Sequence, residues 1–111
     1  MSLKSVREKI QKIDDQIIRL IAQRTDLAED VLVAKKKEGT GINDEGQREV
    51  VLKRMAEAAT ECNLDAGAVK QLYEILIGMN IERQRELSGR GKLQQAKDPQ
   101  QNSKEFQRSV N

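Results

Sequence analysis

Histidine is absent from this chain of 111 residues, which removes histidine-based acid–base chemistry and most zinc sites from the candidate functions. The lone cysteine, Cys62, excludes an internal disulfide framework, and its apolar-adjacent helical setting reads as a small core position. One proline and two aromatic residues, set against 34% charged residues, describe a helical protein with long charged surfaces rather than a sheet protein. Nor is there an excess of one charge: the net value of +2 comes from interspersed residues of both signs, so a nucleic-acid role ranks low. Neither a signal peptide nor an apolar run long enough to span a membrane is visible, and the expected location is the cytoplasm. No internal repeat is found, and the length allows one domain at most.

What is present is a long seam. Val6, Ile10, Ile13, Ile17, Leu20, Arg24, Leu27, Val31 and Ala34 follow steps of four and three in alternation, the pattern of a helix packed against other helices. The first helix is expected to start near Ser2 or Lys4 and run to about Lys37, where Lys35-Lys36-Lys37, Gly39 and Gly41 suit a helix C-terminus. Such a helix, about 34 residues at about 1.5 Å each, makes a rod of around 50 Å. A compact chain of about 100 residues has a radius of gyration near 13 Å and cannot cover it, so a homodimer is the simplest supplier of the missing surface. Asp44 and Gln47 resemble a capping box that opens a second helix with an apolar stripe through Val51, Met55, Ala58 and Cys62. Asp65 is a candidate N-cap for a third, whose buried face reads Val69, Leu72, Leu76 and Met79. The chain divides into a helical domain, residues 1–87, and a polar tail, residues 88–111, expected to be mobile.

Several polar residues fall on faces that the pattern assigns to the core. Arg24 and Lys35 lie eleven positions apart, about three turns, and project from nearly one side of the first helix. The stripe of the third helix continues at steps of four into Asn80 and Gln84. Leaving these four groups in a core without partners would be costly. A bound anionic ligand would satisfy them; so would a buried ion-pair or amide network that sets helix register. Arg7 lies roughly 25 Å along the rod from Arg24 and about 100° around it, so one chain cannot easily bring both to the same small molecule. In an antiparallel dimer, Arg7 of one chain can approach Arg24 of the other; taken alone, it reads as a solvated helix residue.

The order and spacing of "VREKI", "AQRTDLA", "AKKK", "IND" and "ILIGMNIERQ" resemble the small all-helical class of chorismate mutases over roughly residues 4–87. The resemblance implies an all-α fold: a three-helix chain with a long first helix, assembled as an intertwined homodimer, a six-helix bundle, with two buried sites. It implies rearrangement of chorismate to prephenate, for Phe and Tyr biosynthesis, without cofactor or metal. It also assigns roles. Arg24, with Arg7 donated across the dimer, would bind the substrate carboxylates, for which the guanidinium fork is well shaped. Lys35 and Gln84 would contact the ether oxygen, Asp44 would lie near the ring hydroxyl, and Asn80 falls where some relatives carry a substrate-contacting serine.

The family pattern departs at one place. Where an Arg-Glu pair usually follows the loop aspartate, this chain has Gln47 and Arg48, which would place Arg48 near the hydroxyl. A shift of one residue is disfavoured, because Arg48 shares the face of Val51 and Met55 while Glu49 points away. Two other readings stay open: an isochorismate-pyruvate lyase of the same fold, and a non-catalytic helical dimerisation module. Docking onto another enzyme of the pathway is also compatible with the sequence.

Overall fold

The computed structural model describes residues 1–89, and every regular element among them is α-helical. Helix α1, Leu3–Asp26, opens at Ser2, whose hydroxyl accepts the Ser5 N–H at 3.1 Å. Helix α2 is Ala28–Glu38, α3 is Glu45–Glu61 and α4 is Ala66–Leu87. Asp44 caps α3 by accepting from the Gln47 N–H at 3.1 Å, and Asp65 caps α4 by accepting from the Ala68 N–H at 2.8 Å. Both aspartates therefore do what their spacing suggested.

The first rod is not continuous to Lys37 as expected; it is divided at Leu27. Neither proline nor glycine stands there. Leu27 has φ −73° and ψ −5°, flattened from helical values, while the Val31 N–H still reaches the Leu27 carbonyl at 3.0 Å. The Thr25 hydroxyl donates back to the Ile21 carbonyl at 2.9 Å, a local bond that bends helices. The interruption separates Arg24 from Lys35 while both remain on the path of the first rod. The rod ends as predicted: Lys35, Lys36 and Lys37 occupy the last turn of α2, and Gly39 stops it in the left-handed region at φ +76°.

Helices α3 and α4 form the main packed pair, with α2 and the end of α1 laid against α4. The buried apolar residues are Ala28, Leu32, Leu52, Ala59 and Leu76, a small core. Along α1, Ile10, Ile13, Ile17 and Leu20 remain about half exposed or more, so the seam read from the sequence has no cover within its own chain. The molecule is correspondingly long, 51 × 35 × 20 Å with a radius of gyration of 17.0 Å.

Two expected core assignments are corrected. Cys62 is exposed at the C-cap of α3, where the chain turns into the left-handed Asn63, rather than packed inside. On α4, Leu76 is buried and Val69 half-buried, but Leu72 and Met79 are 50% and 42% exposed. The more buried face of α4, the helix that packs against all three others, runs through Tyr73, Leu76, Asn80 and Gln84. No helix among the described residues is long and apolar enough to cross a membrane. Most of the tail expected from residue 88, namely residues 90–111, lies outside the described residues.

A Cβ at Gly39 would meet no atom within 4 Å, so the cost of Gly39→Ala is confined to the backbone. It is expected to lower stability by about 1 kcal/mol, read as a reduced urea midpoint at unchanged m-value.

Candidate active site

One cavity of about 290 Å³ lies between the first rod, the loop after it, and the α3–α4 pair. The first rod brings Arg24, Leu27, Val31 and Lys35 to its wall, and the division at Leu27 falls between the two cations. The loop and the start of α3 bring Asp44, Gln47, Arg48 and Val51; α4 brings Ile77, Asn80, Ile81 and Gln84. Six of the seven residues singled out from the sequence thus share one cavity. Arg7 does not: it is exposed on the second turn of α1, outside the lining.

Each cation is held differently. Arg24 donates from Nη1 to the backbone carbonyl of Leu76 at 3.1 Å, and its guanidinium lies 5.9 Å from the Tyr73 ring centroid. Neither partner carries a charge, so most of the guanidinium's attraction for an anion is retained. Lys35 donates from Nζ to the backbone carbonyl of Ile42, which ties the end of α2 to the loop bearing Asp44. Arg48 is instead clamped by carboxylates. Its Nη2 meets Glu74 Oε2 at 2.6 Å, and its Nη1 meets Glu49 at 3.0 Å and Glu45 at 3.7 Å. Its charge is therefore largely matched before any ligand arrives.

Asparagine and glutamine complete the wall. The Asn80 amide donates to the Arg24 backbone carbonyl at 3.2 Å, and its Oδ1 accepts from Gln84 Nε2 at 2.6 Å. Gln84 is 1% exposed, the largest fully buried side chain among the described residues, and its Oε1 has no hydrogen-bond partner there. Two residues further, burial pushes the Glu86 carboxyl up and Arg83 pulls it down, with Glu82 adding to the rise. The net shift is upward.

Glu74 and Tyr73 were missed by sequence reading. Both precede the polar stripe on α4, and only the register of α3 against α4 brings Glu74 to Arg48, 26 positions away. The expected phase of α3 holds: Arg48 lines the cavity, and Glu49, on the exposed side, reaches it only through the Arg48 guanidinium.

Comparison with known proteins gives concordant results. Residues 6–85 match the family described as chorismate mutase type II. A chorismate mutase of Methanocaldococcus jannaschii is 36% identical over 78 residues, covering 70% of this chain and 79% of that protein. The bifunctional chorismate mutase/prephenate dehydratases of Buchnera aphidicola and Escherichia coli K12 are 26% and 28% identical over 85 residues. Those alignments cover 77% of this chain but only 22% of either bifunctional protein.

A carboxyl with a raised pKa binds its proton more tightly in the folded state. The stability that this contributes is present below the ordinary glutamate range and lost as pH rises through the raised value. Glu86→Gln lacks this loss. Its stability relative to wild type is expected to be more favourable at pH 7 than below about pH 4, read from urea unfolding at both values.

Proposed function

The chain belongs to the chorismate mutase type II family, and from that premise we propose that it is an isomerase that rearranges chorismate to prephenate in aromatic amino-acid biosynthesis. The observation that carries the reading is the shared cavity. Two cations from one rod and a buried glutamine from α4 face the same space, and Arg24 and Lys35 are held by backbone carbonyls instead of carboxylates. A register-setting ion-pair network would have matched those charges internally; this arrangement leaves them for a dianion.

The reaction is unimolecular: one C–O bond breaks as a C–C bond forms, with no nucleophile. The work of the site is to hold a folded conformer and to stabilise negative charge as it grows on the ether oxygen. Arg24 binds a carboxylate through its unengaged N–H groups. Lys35 carries a full charge to the ether oxygen, and Gln84 adds a neutral donor beside it. Asp44 uses Oδ1 for its cap and has Oδ2 left for the ring hydroxyl. Arg48, with its charge matched by Glu74, Glu49 and Glu45, offers N–H donors with little excess charge, which suits a hydroxyl better than a third carboxylate.

The second carboxylate calls for Arg7, which one chain cannot deliver. A homodimer supplies it. The uncovered seam of α1 is the surface that such a dimer would bury, and antiparallel crossing of two first rods carries the partner's Arg7 towards Arg24. The names of the two bifunctional relatives join this activity to prephenate dehydratase, which supports a prephenate-consuming enzyme as a partner.

Incubation with chorismate is expected to yield prephenate, and Lys35→Ala to lower kcat/KM by at least about 100-fold. Salicylate and pyruvate formed from isochorismate alone would assign the lyase, and no turnover by folded protein would leave a helical module. Arg7→Ala and Arg24→Ala are each expected to be nearly inactive, yet to regain activity when unfolded together and refolded. Half of the random dimers are hybrids, each with one intact site, so recovery should approach about one quarter of wild type.

A further inference from the structure

We infer that Asn80 is a positioning residue whose task is to orient the Gln84 amide, an assignment that rests on the mutase reading of the cavity. The argument starts from a group that cannot be reversed. The Arg24 backbone carbonyl only accepts, so the Asn80 terminus facing it at 3.2 Å must be the NH₂. That sets Oδ1 towards Gln84, at 2.6 Å from the nearest Gln84 amide atom. Two oxygens at that distance would repel, so Gln84 must present Nε2 there. The orientation of a buried amide that has no other partner among the described residues is thus inherited, through Asn80, from the backbone of α1. Reversing Gln84 would require reversing Asn80 and setting its oxygen against the Arg24 carbonyl.

The consequence is chemical. With one hydrogen of Nε2 held by Asn80, the second is left for a ligand in the cavity that Gln84 lines, the donor role that charge growing on an ether oxygen requires. Asn80 engages its oxygen and one of its hydrogens with protein groups, a bridge for which the serine of some relatives has no equivalent. A serine hydroxyl is too short to bridge the Arg24 carbonyl and Gln84 together. Arg24 closes the arrangement by donating to Leu76, one turn before Asn80, so the backbone that orients the amide is itself held to α4.

The test compares two backgrounds. In the wild-type chain, Asn80→Leu, which keeps the volume and removes the amide, is expected to lower kcat by about 10- to 100-fold with KM within about threefold. In a Gln84→Met background the same change should alter kcat by less than about twofold, because the group on which it acts is gone. Equal losses in both backgrounds, or an effect confined to KM, would show Asn80 acting on the substrate directly and overturn the proposal. Asn80→Ser, a smaller perturbation, provides a readout without substrate. In ¹⁵N-labelled protein the Gln84 side-chain amide signals should shift and exchange faster with solvent; unchanged signals would equally overturn the proposal. Because this arm needs no turnover, it still tests Asn80 if wild-type protein leaves chorismate unconverted, the result that would defeat the mutase reading.

Discussion

Among the described residues the largest fully enclosed side chain is an amide, and the arrangement around it depends on the cost of keeping it there. Burying Gln84 without partners would cost several kcal/mol, a large share of the stability of any domain. Asn80 and the Arg24 carbonyl offset part of that cost and, in doing so, bind the end of α1 to the middle of α4. The same residues form one wall of the cavity. Core and site therefore meet at this amide, and a substitution made for packing at Leu76, Asn80 or Gln84 would be felt in the chemistry.

Around that wall the cations are sorted by partner. Backbone carbonyls hold Arg24 and Lys35 in place without matching their charge. Carboxylates hold Arg48 and do match it. The distinction follows from position: the first two sit among helix backbones on the inner side of the first rod, the third at the α3–α4 edge among exposed glutamates. A dianionic ligand would be drawn to the inner pair, with the edge arginine left for a neutral oxygen. The long uncovered face of α1 belongs to the same design in the proposed dimer, since the rod that carries Arg24 inward also carries Arg7 about 25 Å away.

Much of this was legible in the sequence, for identifiable reasons. Caps are local, so Asp44, Asp65 and Gly39 could be read from a few neighbouring residues. Periodicity marked Arg24, Lys35, Asn80 and Gln84 as polar residues on inward faces, and all four line the cavity. On α4, which is apolar on two faces, the single chain covers Leu76 and turns Tyr73 and Ile77 inward, while Leu72 and Met79 stay exposed like the seam of α1. Cys62 was misplaced because a helical stripe says nothing about where the helix stops, and α3 ends one residue before it. The break at Leu27 left no proline or glycine to announce it.

By itself, the sequence determined the order of the helices, their caps and the identity of the polar residues that cannot rest in an apolar core. These depend on interactions between residues a few positions apart, and on counting faces around a helix. Tertiary structure alone decided which partner each polar group receives: a carbonyl for Arg24, a clamp of carboxylates led by Glu74 for Arg48, and an inherited orientation for Gln84. Those choices depend on the register and rotation of one helix against another. They arise from the packing of surfaces up to 56 residues apart, which no local pattern encodes.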